Sequence, residues 1–271
     1  MNKIQCQCMT LLISLFFLNA LLLIGVVIKW QTGLKKCDGK YRNLPSRRAL
    51  EKPSFAVKIV TFANEVGELH CGGAIISSHW IVTTGYCVDV VEFYAKQKVI
   101  TYVASTLNEL VNDVEVAIRH PEFNSSTLDA DIGLLKVVEP YNIGVGIHLP
   151  RGDYNYLVNS SVSAVGLDEE LIELATSIVI FSRKYCSSLL SATRELLTES
   201  MTCGGSYTRE KLDCRYDTGS PLVDGEVLIG VISWGKGCEK VDIPTVYTKI
   251  PPFVKWITNI VGNDTFPTMS K

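Results

Sequence analysis

The sequence predicts an all-β domain that ends in a helix and is preceded by a membrane-spanning helix. Three observations carry this expectation. Residues 53–262 break into short β-rich runs separated by turn residues, the pattern of a barrel or sandwich. Helical spacing returns near the end, in PPFVKWITNIVG (251–262), where Phe253, Trp256, Ile257 and Ile260 share one face. Residues 9–28 (MTLLISLFFLNALLLIGVVI) form an uncharged run of 20, long enough at ~1.5 Å per residue to cross a ~30 Å hydrocarbon core.

Composition narrows the class. The 271 residues are 47% hydrophobic and 20% charged, which excludes disordered, collagenous and polybasic nucleic-acid-binding chains. The net charge of −2 hides an asymmetry: residues 29–52 hold eight Lys/Arg against two acids, whereas 53–271 hold 17 Lys/Arg against 26 Asp/Glu. An acidic body is a poor duplex-binding surface, so no nucleic-acid partner is expected. No internal repeat or low-complexity tract occurs.

Taken in order, residues 1–8 read as a short cytoplasmic tail, 9–28 as a signal anchor, 29–52 as a basic stem, 53–262 as the folded body and 263–271 as a C-terminal tail. A cleaved signal peptide is the competing reading of 9–28, giving a secreted rather than a type II membrane protein. It wants an apolar core of only ~7–15 residues and small residues at the cut, and Leu23 and Gln31 occupy the upstream positions before Gly25 and Gly33. Lys29, Lys35 and Lys36 outnumber Lys3, which by the positive-inside rule alone would put the body in the cytosol. Three glycosylation sequons, at Asn124, Asn159 and Asn263, argue for the lumenal or extracellular side. Cys6 and Cys8 then face the cytosol, as palmitoylation sites or inert thiols.

Within the body, AVKIVTF (56–62), HWIVTTG (79–85), IGLLKVV (132–138), TSIVIF (176–181) and EVLIGVISW (226–234) read as strands, and SSLLSATRELLTE (187–199) as a helix.

Several segments then carry a resemblance. CGGAIISSHWIVTTGYC (71–87), DADIGLLKV (129–137), MTCGG (201–205), DCRYDTGSPLV (213–223), ISWGKGC (232–238) and PTVYTKI (244–250) resemble, in order, the signatures of trypsin-like, chymotrypsin-fold serine proteases. The resemblance covers 53 to about 262 and implies a double six-stranded β-barrel. It also implies the bridges Cys71–Cys87, Cys186–Cys203 and Cys214–Cys238. A further family bridge would need Ser160 and Asp224 to be cysteines, and both are absent together. Cys37 is left over, because the position that pairs with such a stem cysteine in relatives is His148. It is either a free thiol or a link to a disulfide-bonded partner.

The catalytic positions are altered. Acyl transfer by this family needs a serine, an imidazole base, a carboxylate that orients it and oxyanion donors. The resemblance places Asp131 at the carboxylate, but Tyr86 at the base and Thr218 at the nucleophile. A phenol with a pKa of ~10 is protonated at pH 7 and cannot take the proton. Tyr216 stands where a glycine lines the oxyanion hole. At the specificity pocket, Leu212 replaces the basal Asp of trypsins, Thr245 replaces a wall glycine, and Trp234 and Gly235 are retained. No motif like the family's activated amino terminus occurs in 37–55, so Asp217 is expected to find another partner. The Tyr86 hydroxyl is expected to donate to Asp131 in place of the imidazole. His70, His79, His120 and His148 lie away from the matched positions.

These residues describe a tethered pseudoprotease that binds another, unidentified protein and needs no cofactor or metal. The alternative is a weak or unconventional hydrolase using Thr218. Arg151-Gly152-Asp153, the tripeptide read by some integrins, lies between the two expected barrels, where an ordinary polar turn is the competing reading.

Overall fold

The computed structural model describes residues 55–63, 67–94, 99–103, 110–141, 146–167, 173–191, 196–205, 217–235 and 244–264. The expected tail, anchor and stem lie outside them, as do Cys6, Cys8, Cys37, Leu212, Tyr216 and the Cys214–Cys238 pair. Among the described residues no helix is long and apolar enough to cross a membrane.

Twelve strands close into two antiparallel barrels. The first contains β1 (Ala56–Ala63), β2 (Gly67–Ile75), β3 (Trp80–Thr83), β4 (Val99–Val103), β5 (Leu110–Arg119) and β6 (Gly133–Val137), in the order β1-β2-β3-β6-β5-β4. It closes where β4 pairs with β1, with Val103 opposite Val57. The second contains β7 (Ser161–Leu167), β8 (Glu173–Ile180), β9 (Met201–Gly205), β10 (Pro221–Asp224), β11 (Val227–Trp234) and β12 (Thr245–Lys249), in the order β10-β11-β12-β9-β8-β7. It closes where β10 pairs with β7, with Leu222 opposite Ala164.

The two-residue period of a strand explains why the barrels adhere. Ile81, Leu135 and Val137 fill the first barrel with Val57, Ile59 and Ile75. The alternate residues Trp80, Val82 and Leu134 point the other way, into a cluster shared with Val165, Leu167, Leu228 and Val231 of the second barrel. Each such Val, Leu or Ile contributes about 1.5–3 kcal/mol on burial.

Among the described residues three helices complete the body. The terminal one, α3 (Val254–Val261), follows a 3-10 turn at Pro251–Phe253 and lays Phe253, Ile257 and Val261 on the shared cluster. Gly262, at φ +61°, ends it. Asp264 then fastens this end to the β2–β3 turn. The Ser77 hydroxyl (3.1 Å) and the His79 amide (3.0 Å) donate to its carboxylate, as does Ser78.

Two helices differ from the sequence reading. The helix expected at 187–199 is α2 (Arg183–Leu190), started by Ser182, whose hydroxyl accepts the Tyr185 amide. Residues 196–199 are not helical, and there the Leu197 and Thr198 carbonyls accept from the Arg183 guanidinium. The other, α1 (Gly85–Phe93), was not expected from β-branched GYCVDVVEF. Thr84 caps it by accepting the Cys87 amide (3.2 Å), and burial of Cys87, Val88 and Val91 overrides strand propensity.

Both described bridges form as the family resemblance implied. Cys71–Cys87 ties β2 to α1, and Cys186–Cys203 ties α2 to β9.

Candidate active site

Asp131 stands at the seam between the barrels. The residue before it, Ala130, is held at φ +49°, a left-handed conformation that costs an alanine about 1 kcal/mol or more. Its amide donates to the Ser200 hydroxyl (3.2 Å), and its carbonyl accepts from the Ile132 amide (2.8 Å). This tight turn aims Asp131 inward, where it is fully buried.

The Asp131 carboxylate accepts the Tyr86 amide (2.9 Å), the Gly85 amide and the Ser233 hydroxyl. Burial pushes its pKa up to about 6, the three hydrogen bonds oppose that rise and Asp89 adds to it. The Tyr86 hydroxyl does not donate to Asp131, contrary to the sequence expectation. The phenol side chain sits on a residue that is 52% exposed, and the first turn of α1 presents backbone amides to the carboxylate instead. Those amides belong to any residue at positions 85 and 86, so this half of the site is indifferent to the Tyr86 side chain. Ser233, which the sequence reading did not single out, stands in the segment ISWGKGC.

The Thr218 loop also bridges the two barrels. Its backbone is locked to the first barrel, with the Gly72 amide donating to the Thr218 carbonyl (2.7 Å) and the Cys87 sulfur 3.4 Å from the same oxygen. It is locked to the second barrel as well: the Gly219 amide donates to Ile232 (2.7 Å), and the Ile232 amide to Ser220 (2.9 Å). A Cβ on Gly72 would lie 2.3 Å from Ser220 Oγ, so only glycine permits this approach. Asp217 is half-buried, and its carbonyl accepts the Ser220 amide (3.0 Å).

The structure also brings together two specificity-pocket positions. Gly235, at φ +148°, lies so near Thr245 that an added Cβ would be 2.9 Å from the Thr245 Cα. Beside it, Trp234 packs against the cluster of Phe181, Met201 and Val246, which is barrel packing. Its buried Nε1 has no hydrogen-bond partner among the described residues.

No histidine supplies a base here. His70 pairs with Glu68 (3.3 Å), and His79 lies 3.4 Å from Asp264. His120 is buried against Phe253 and Trp256, which lowers its pKa by desolvation against a smaller opposing effect of Glu122. His148 bridges in parallel to Val227. Among the described residues no cluster of His, Cys, Asp and Glu is arranged to hold a metal ion. The sequon residues Asn124, Asn159 and Asn263 are all exposed.

Two closed six-stranded barrels, with a buried carboxylate of the first accepting Ser233 of the second and a glycine-locked loop held to both, define the trypsin-like class. The sequence profile of the family described as Trypsin matches residues 51–257, and the chain belongs to that family. It is 31% identical over 201 residues to anionic trypsin of Canis lupus familiaris, a match covering 71% of this chain and 80% of that protein. Trypsin-10 of Gadus morhua is 28% identical over 201 residues, covering 71% and 82%. Serine proteinase stubble of Drosophila melanogaster is 29% identical over 208 residues, covering 69% of this chain and 26% of that protein.

Proposed function

We propose that the chain is a catalytically inactive trypsin-family protein, tethered by residues 9–28, whose extracellular or lumenal body binds another protein. One observation carries the reading: the carboxylate that should orient a base is held by the backbone amide of Tyr86, and no imidazole bonds to it. Without a base, catalysis falls to about 10³–10⁴-fold over water, and a Tyr216 side chain that turned its peptide away from the oxyanion would remove a further ~10²–10³. Leu212 at the pocket base gives a basic substrate side chain no counter-charge. Binding follows by elimination, on a scaffold whose fold does not dictate its use.

A fluorophosphonate probe tests the reading. The wild type is expected to stay unlabelled, whereas Tyr86→His/Thr218→Ser/Tyr216→Gly is expected to gain labelling, a reading supported by the hydrogen bonds that hold the 218–220 backbone to both barrels. Labelling of wild-type Thr218 would overturn the proposal in favour of a weak hydrolase. That second reading draws support from the same hydrogen bonds to the Thr218 loop.

The tether has its own test. Alkaline carbonate should leave the chain in the membrane pellet, and release into the supernatant would instead establish a secreted form. Glycosylation at Asn124, Asn159 and Asn263 and a disulfide-linked partner at Cys37 belong to the same proposal.

A further inference from the structure

We propose that the Arg151-Gly152-Asp153 turn is a docking ligand for a receptor that reads a guanidinium and a carboxylate together, the carboxylate through a receptor-bound divalent cation, as RGD-reading integrins do. The presentation is what carries the inference. The Tyr154 amide donates to the Arg151 carbonyl (3.0 Å), closing a β-turn with Gly152 and Asp153 at its tip. The Arg151 and Asp153 side chains are 88% and 75% exposed, and nothing lies within 4 Å of where a Cβ on Gly152 would be.

The base of the turn, in contrast, is fixed. Pro150 is buried, and the Tyr154 hydroxyl donates to Asp224 (2.7 Å) at the end of β10. The Tyr154 ring also meets Tyr156 edge-on at 5.1 Å. An anchored base with an open tip lowers the ordering cost of binding. Among the described residues Arg151 pairs only with Asp153, at 3.3 Å. An ion pair this exposed is worth about 0–1 kcal/mol, so a receptor offering each charge a desolvated partner separates them readily. A polar turn needs glycine or aspartate for its geometry, but the fold has no use for a guanidinium here.

The proposal goes beyond protease inactivity and draws on the proposed function only for the extracellular setting, so it is tested with purified components. Full-length chain in detergent is captured on a surface and exposed, in Mn²⁺, to integrins eluted from an RGD-peptide column. We expect binding that EDTA abolishes and soluble RGD peptide competes. Asp153→Glu keeps the charge but moves the carboxylate, and Gly152→Ala adds a methyl that the fold accepts. Each should weaken binding at least about tenfold with an unchanged thermal midpoint. No binding, or equal binding by both variants, would overturn the proposal and leave an ordinary turn.

Discussion

Gly219→Ala should destabilise the body by more than about 4 kcal/mol, the largest single loss expected outside the barrel cores. Gly219 sits at φ +93°, and a Cβ there would lie 2.2 Å from the Gly72 carbonyl oxygen and 2.5 Å from Thr83 Oγ1. Neither obstacle can yield cheaply. The Thr83 hydroxyl donates to that carbonyl (2.7 Å), and the Gly72 amide is itself bound to Thr218. Gly225→Ala is the control. Its φ of +60° is also left-handed, but nothing lies within 4 Å of an added Cβ, so only the conformational cost of about 1 kcal/mol applies. Denaturant unfolding of the two variants at constant m separates them, and equal midpoints would mean that the loop is not locked between the barrels.

Asp131→Asn should stabilise the protein at pH 7, by up to about 3 kcal/mol, the equivalent of holding a carboxyl about two pH units above its ordinary value. The raised pKa, about 6, reports that the buried site favours the neutral acid. The sign follows from comparing folded and unfolded chains. Below about pH 4 both hold the proton and the site carries no penalty. Between about 4 and 6 the unfolded chain releases its proton first, so stability is lost as pH rises, and above about 6 the loss is complete. An amide keeps the bonds from the Gly85 and Tyr86 amides through its oxygen and offers Ser233 its nitrogen. The gain from Asp131→Asn should therefore shrink towards zero as pH falls from 7 to 4, read as the difference in thermal midpoint between the two proteins. A loss of stability at pH 7 would show that the hydrogen bonds hold the carboxylate better than burial penalises it.

How far the fold could be read depended on what each segment is stabilised by. Strands such as AVKIVTF and EVLIGVISW declare themselves, because alternate residues feed separate cores. Helix α1 did not, since its valines favour a strand and what overrides them is the Thr84 cap and the burial of Cys87, Val88 and Val91. For α2, the leucine pattern of 187–199 pointed to a helix, but the described helix starts earlier, at the Ser182 cap, and residues 196–199 are not helical. The order of the motifs singled out Asp131, which the structure buries against Ser233 of the second barrel, and the Thr218 loop, which it bonds to both barrels. The error lay at Tyr86, where a side chain was expected to do what the peptide backbone does. Hydrogen bonds made by backbone amides leave no trace in residue identity, so a sequence cannot distinguish them from a bond made by the residue's own hydroxyl.

The clasp between Asp264 and the β2–β3 turn has a consequence for biosynthesis. Its partners are separated by 185 to 187 residues. A chain made from its amino end completes β6 at Val137, while the helix that covers Trp80, Val82 and Leu134 arrives only with 254–261. At ~5–20 residues per second, the interval is on the order of ten seconds. Until then Trp80, Val82 and Leu134 lack the cover of that helix, and Asn263 is the last sequon to emerge, next to the residue that clasps the β2–β3 turn.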